Sequence, residues 1–325
     1  MLRETFLFLS ESRLARRIAR DAPFARGAAR RFVAGETVDD AVRAVRALND
    51  AGMLATVDYL GEAVTNREEA TAAANMYLKI LDRIAGDGLR ANVSLKLTQM
   101  GQDIDEAFLR DNVGRILERA RELDIFVRFD MESSAYTQRT LDFFRRLWDE
   151  GFHNIGVVIQ AYLHRSEKDI QEMNALGARV RLCKGAYKEP PSVAFQEKSE
   201  VDGNFVRLMR LLVSEGNYPG IATHDERMIE ATRDFVRENN ISTDAFEFQM
   251  LYGVRRDLQL RLVKEGYNLR VYVPFGEAWY PYLMRRLAER PANFFFIVNA
   301  VIRESPLGFL LPNHSRDGQD AGRSR

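Results

Sequence analysis

Cysteine is almost missing: Cys183 is the only one in 325 residues, which excludes an internal disulfide framework and fits a reducing, cytosol-like compartment. Histidine is scarce too. His153, His164, His224 and His314 show no metal-ligand spacing, and no zinc signature is present. An excess of charge is also lacking, since 47 Lys and Arg balance 47 Asp and Glu. General electrostatic attraction to nucleic acid is therefore excluded, and any site for an anion must be built by a few local residues. No apolar run reaches the roughly eighteen residues of a membrane-spanning helix, and the N-terminus lacks the apolar core and cleavage site of a signal peptide. There is no GxGxxG after a strand and no P-loop, so neither a Rossmann dinucleotide domain nor a nucleotide triphosphatase is indicated. What remains is ample core material on a soluble surface: 46% hydrophobic and 29% charged residues, with a mean hydropathy of −0.31. Length alone admits one domain or two.

Short β-branched runs bounded by turn residues alternate with helical periodicity eight times. The strand candidates are Leu54 to Leu60, Asn92 to Leu97, Ile125 to Met131, Ile155 to Ala161, Arg179 to Lys184, Gly220 to His224, Ala245 to Leu251 and Asn268 to Val273. Helices are expected over 66–86, 105–123, 135–149, 166–176, 192–215, 225–239, 255–265 and 277–289. Such alternation implies parallel strands with crossover helices, and eight is the number that closes a (β/α)8 TIM-type barrel. A doubly wound open sheet is the alternative, because periodicity does not show closure. Residues 2–20 and 37–51 read as extra helices. The expected organisation is an N-terminal helical addition over 1–53, a barrel over 54–302, and a polar, disordered tail over 303–325. Seven arginines between Arg13 and Arg31 read as a solvated helix and linker, with a membrane-surface role as the sharper alternative.

In a parallel barrel the C-terminal strand ends carry the chemistry. Those ends supply Glu62, Lys96, Asp130, Gln160, Arg181, Lys184, Thr223, His224, Gln249 and Tyr272. A barrel interior is ordinarily layered with Val, Ile and Leu, so a ring of ionisable and amide groups at one end is costly unless the groups pair or bind something. The structural alternatives are specific. Lys96 and Asp130 could form a buried ion pair, His224 could cap the following helix, Tyr187 and Tyr252 could be packing groups, and Cys183 reads as a small buried residue. In the final helix Tyr282, Arg285, Arg286 and Glu289 share one face at i, i+3, i+4 and i+7. Adjacent guanidinium groups just after the eighth strand suit a carboxylate or phosphate. A lysine Schiff-base aldolase and a non-catalytic anion-binding barrel both remain open on these residues alone.

The segments VSLKLT, VRFDME, VVIQAYL, VRLCKGAY, IATH, FEFQMLYG and YLMRRLAE occur in the order found in the proline dehydrogenase family, which the chain resembles from about Asp58 to Glu289. The size resembles the monofunctional bacterial enzymes. The resemblance implies an FAD enzyme that oxidises L-proline to Δ1-pyrroline-5-carboxylate, passes electrons to a membrane quinone, and leaves the product to a separate pyrroline-5-carboxylate dehydrogenase. It implies a cytoplasmic protein with peripheral contact at the inner membrane face. By resemblance, Lys96, Arg285 and Arg286 hold the proline carboxylate, Leu251 and Tyr272 wall the ring, Arg181 sits beside flavin N5, and Asp130 orders the site behind it. Met131, Gln160, Lys184, Gly185, Ala186, Thr223 and His224 contact the flavin, its phosphates or its adenosine. Glu62 resembles a gate carboxylate that pairs with Arg285. No metal is implied.

Overall fold

The computed structural model describes residues 30–61 and 64–289, the last five as backbone only. The chain divides into two compact units: Arg31–Trp279, and a second comprising Met1–Arg30 with Tyr280–Arg325. The expected helix over 2–20, most of the arginine-rich segment, Glu62 and the tail lie outside the described residues.

The first unit begins with α1 (Val38–Asp50) and then alternates strictly. The order is β1 (Leu54–Tyr59), α2 (Arg67–Gly86), β2 (Ala91–Leu95), α3 (Glu106–Glu122), β3 (Val127–Phe129), α4 (Ser134–Asp149), β4 (Ile155–Gln160) and α5 (Ser166–Leu176). It continues with β5 (Arg179–Cys183), α6 (Lys198–Glu215), β6 (Gly220–Ala222), α7 (Glu226–Glu238), β7 (Glu247–Leu251), α8 (Arg256–Lys264) and β8 (Leu269–Phe275). All neighbours pair in parallel and β8 returns to β1, with Thr56 opposite Tyr272, so the barrel is closed and the open sheet is excluded. α1 packs on β1 and β8, covering the seam where the last strand meets the first. The helix α9 (Trp279–Glu289) follows.

Side chains alternate between the two faces of each strand. Val57, Val93, Leu95, Val127, Phe129, Val157, Ile159, Val180, Leu182, Ile221, Phe248, Val271 and Val273 are buried under the helices. Burial of each such side chain stabilises by about 1.5–3 kcal/mol. The opposite parity faces the barrel axis, and there the expectation of aliphatic layers is corrected. Thr56, Asn92, Ser94, Arg128, Arg181, Glu247 and Gln249 are all buried, so polar groups continue well below the mouth. Glycine makes this fit. A Cβ at Gly156 would come within 2.4 Å of the Arg179 carbonyl oxygen and 3.1 Å of Arg128 Nη1, and one at Gly220 would come within 2.3 Å of Gln249 Nε2.

Most boundaries agree with the periodicity to within two residues. The exception has a local cause. Residues 192–197 form a turn and a bridge from Ala194 to Leu163 instead of the start of a helix, and α6 begins only where Glu197 and Glu200 make a capping box. β8 runs past Pro274, whose carbonyl accepts from the Ala34 N–H.

Candidate active site at the barrel mouth

Because β2 ends at Leu95 and β3 at Phe129, Lys96 and Asp130 are the first residues beyond their strands, at the C-terminal mouth. They do not pair with each other. Asp58 stands opposite Ser94 on the adjacent strand, and Lys96, two residues after Ser94 and just past the end of β2, bonds to both Asp58 carboxylate oxygens at 3.2 and 3.4 Å. Asp130 is taken up elsewhere. Its Oδ1 accepts from Ser94 Oγ at 2.5 Å and Arg181 Nη1 at 2.8 Å, and its Oδ2 accepts from the Tyr272 hydroxyl at 2.7 Å. Arg181 Cζ lies 5.3 Å from the Tyr272 ring centroid, so cation, carboxylate and phenol form one unit.

Burial opposes charge on Lys96, but Asp58 and then Asp130 outweigh it and hold the ammonium well above its ordinary pKa. Burial also raises the Asp58 carboxyl, which Lys96 only partly offsets and Asp130 reinforces. The two carboxylates raise Lys96, whereas burial is the main reason that Asp58 is raised. Lys96 is thus charged throughout the neutral range. Burial, with Asp130 and Asp58 nearby, pushes the Tyr272 phenol far above its usual value, so it remains a donor. Behind Asp58, the Tyr77 hydroxyl donates to the Ser94 carbonyl at 2.8 Å and lies 3.4 Å from Asp58 Oδ1.

The next strand ends form the other side of the mouth. Gln160 Nε2 donates to the Glu132 carbonyl at 2.9 Å, and Met131 is buried. Lys184 Nζ bonds to Asp202 and, at 2.9 Å, to Asp225, which uses two of its three donors. Burial would raise the carboxyl of Asp225, but Lys184 and Arg227 hold it well below the ordinary carboxylate range. Gly185 has φ +107°, and a Cβ there would lie 2.3 Å from the Tyr162 ring, so only glycine suits this turn. Thr223 Oγ1 accepts from the Asp225 N–H at 3.1 Å. The structural alternative of His224 as a helix cap is not realised: Asp225 caps α7, and His224 Nε2 accepts from the Leu251 N–H at 2.8 Å. A neutral His224 then carries its proton on Nδ1. Leu251 is half-buried at the end of β7, Ala186 is exposed, and Cys183 is half-buried rather than fully buried.

Glu62 and the side chains of Arg285 and Arg286 lie outside the described residues; the backbone places both arginines in α9. Sequence reasoning missed Asp58, whose signal was a charge at an inward position of β1. It also missed Arg128, Glu247 and Arg270, deeper in the barrel. Arg270 Nε donates to Glu247 Oε1 at 2.7 Å, and Arg128 Nη1 donates to the Val157 and Arg179 carbonyls at 3.1 and 2.9 Å.

Whether this site suits a flavin nucleotide can be tested on its own atoms. Arg181 Nη2 is buried without a hydrogen-bond partner among the described residues, beside Tyr272 and Asp130, and so offers a donor to a polar heterocycle. Lys184 has a remaining donor next to a glycine turn, which suits a phosphate oxygen. The residues fit the group. Among the described residues no set of His, Cys, Asp and Glu could hold a metal, and no helix is long and apolar enough to cross a membrane.

Comparison with known proteins adds relatives in sequence and in structure. The family model described as proline dehydrogenase matches residues 41–298. "Proline dehydrogenase 1" of Bacillus subtilis is 44% identical over 304 residues, covering 94% of this chain and 100% of that protein. "Proline dehydrogenase" of Deinococcus radiodurans is 42% identical over 279 residues, 85% of this chain and 90% of that protein. A crystal structure of proline utilization A from Bdellovibrio bacteriovorus, inactivated by N-propargylglycine, superposes with a TM-score of 0.77 at 28% identity, over 88% of this chain and 35% of that one.

Proposed function

Because the chain belongs to the proline dehydrogenase family, we propose that it oxidises L-proline to Δ1-pyrroline-5-carboxylate on a resident FAD and delivers the electrons to a membrane quinone. The observation that carries this reading is the joined cluster of Lys96, Asp58, Asp130, Arg181 and Tyr272 at the strand ends of a closed barrel. FAD, when bound, supplies the hydride acceptor, its N5 atom.

The protein's own groups do the rest. Lys96, charged throughout the neutral range, holds the substrate carboxylate together with Arg285 and Arg286, which fixes the ring by positioning. Tyr272 and Leu251 wall the ring, and the bulk of the tyrosine would crowd a ring hydroxyl. Hydride loss requires an unprotonated amine, and the surrounding cations favour that form by disfavouring a further positive charge. Asp130 already accepts from three donors, which suits orientation of Arg181 rather than proton abstraction. Arg181 presents its remaining guanidinium edge where negative charge develops. Met131, Gln160, Lys184, Gly185, Ala186, Thr223 and His224 hold the flavin and its nucleotide portion, and Glu62 closes over substrate by pairing with Arg285. The electrons leave through peripheral contact of a cytoplasmic protein with the inner membrane face, to which the arginine-rich N-terminal segment contributes. A separate dehydrogenase consumes the pyrroline product.

A Schiff-base aldolase is disfavoured because it needs a neutral lysine, and Asp58 keeps Lys96 charged. The test is the visible spectrum of the purified protein with and without proline. A flavin spectrum bleached by proline is expected; a colourless protein, or one trapped on a lysine by borohydride with a carbonyl substrate, would overturn the reading. Deleting residues 1–32 is expected to weaken liposome binding or quinone turnover, and no change in either would remove the membrane role of that segment.

A further inference from the structure

Arg181 is gripped on two edges by unlike groups. Asp130 takes Nη1, and the neutral amide of Gln249 accepts from Nε. Two fixed edges determine the plane of a rigid guanidinium and hence the direction of Nη2, the buried edge without a partner among the described residues. Gln249 is itself held from behind. Its Nε2 donates to Glu247 Oε1 at 2.5 Å, Glu247 Oε1 also accepts from Arg270 Nε at 2.7 Å, and Arg270 Nη1 donates to the Ala55 carbonyl at 2.8 Å. The chain therefore ends on the backbone of β1.

We propose that Gln249, backed by Glu247, is a positioning residue that sets the plane of Arg181 for the redox step; this rests on the flavin reading given above. The choice of residue follows from donor and acceptor arithmetic. Arginine only donates and a carboxylate only accepts, so the link between them needs one acceptor and one donor on a neutral group. Burial works against charge on Glu247, but Arg270 outweighs it and keeps the carboxyl ionised. A second carboxylate at position 249 would face it directly. Gly220 supplies the space, since a Cβ there would sit 2.3 Å from Gln249 Nε2. A purely structural glutamine would serve equally well bonded to any strand carbonyl; this one spends both ends of its amide on side chains.

The test uses flavin-loaded holoenzyme and three variants: Gln249→Met, Gln249→Glu, and Gln249→Glu combined with Glu247→Gln. The methionine removes both bonds at similar volume. The single glutamate sets two carboxylates face to face. The double exchange restores one donor and one acceptor between the two positions and leaves the net charge unchanged, with the new amide at position 247 turned to offer Nε2 to the carboxylate at position 249 and Oε1 to Arg270, where Glu247 Oε1 serves both in the wild type. Gln249→Met and Gln249→Glu are expected to lose about tenfold or more in kcat with KM for proline within about twofold, and to shift the flavin midpoint potential. The double exchange should recover kcat to within about threefold of wild type. Wild-type kcat and potential in a folded Gln249→Met enzyme would overturn the proposal, as would a double exchange no better than Gln249→Glu alone. If the methionine variant does not fold, the two glutamate-containing proteins decide the matter by themselves. A wild-type protein without flavin would defeat the underlying reading, whereas a wild type bleached by proline beside silent variants would defeat only the positioning role.

Discussion

Tyr272→Phe removes one oxygen and leaves a ring, which makes it a selective probe of the Asp130 unit. The hydroxyl donates to Asp130 Oδ2 at 2.7 Å, while the ring lies 5.3 Å from Arg181 Cζ. Hydrogen bonds to charged groups contribute about 1.5–3 kcal/mol. The low end applies, about 1.5–2 kcal/mol, because Asp130 keeps Ser94 at 2.5 Å and Arg181 at 2.8 Å. With an unfolding entropy near 2.1 cal/mol/K per residue, a chain of this length has about 0.7 kcal/mol/K, so Tm should fall by roughly 2–3 °C. If the carboxylate must be held to hold Arg181, the same energy appears as a loss of about 10- to 30-fold in kcat. KM for proline should stay within about twofold, since the wall is intact. Thermal unfolding and steady-state turnover read the two effects separately. A lowered Tm with unchanged kcat would make the hydroxyl a structural bond only, and a raised KM with unchanged kcat would make it a substrate contact; either refutes the argument. The phenol lies far above its ordinary pKa, so it stays protonated and wild type and Tyr272→Phe should share their pH–rate profile up to about pH 10.

Three further outcomes follow from other parts of the molecule. Asp225 has a lowered pKa in the folded protein, so its stabilising effect is complete above the ordinary carboxylate range and lost as pH falls through the lowered value. Asp225→Asn, which can still cap α7, should melt below wild type at pH 7 and converge with it in acid, and a gap independent of pH would contradict this. Gly156→Ala drives a Cβ to 2.4 Å from a backbone carbonyl and should cost about 1–3 kcal/mol, seen as a lower Tm; an unchanged Tm would show that the Arg128 pocket can relax. Arg286→Lys should raise KM for proline far more than it lowers kcat, because a bidentate grip becomes a point charge, and equal KM values would sink the assignment.

The eight alternating strand and helix units were legible because the two periods differ and repeat in strict order; closure rested on the count of eight and is shown only by the pairing of β8 with β1. Lys96, Asp130, Arg181 and Tyr272 were legible as polar residues at or near strand ends. Their pairing was not. Adjacent strands suggested Lys96 with Asp130, but register sets Asp58 opposite Ser94, so Lys96 finds Asp58 on β1 while Asp130 turns to Arg181 and Tyr272. Parity says which residues look inward; it does not say which of several inward partners lies within 3 Å. The same limit hid the pair of Glu247 and Arg270, whose inward positions resemble ordinary strand-edge charges until the ring closes.

The barrel's charged interior also bears on how the chain reaches its native state. β8 brings Arg270 to Glu247 on β7 and to the Ala55 carbonyl on β1, and brings Tyr272 to Asp130 beyond β3. A nascent chain that has formed only seven strands would have to bury Glu247 without its cation, a loss of several kcal/mol that no aliphatic barrel would face. Desolvation of the interior should therefore wait for the last strand. A seven-stranded intermediate is expected to keep its lumen hydrated until β8 docks, a constraint that a layered hydrocarbon interior would not impose.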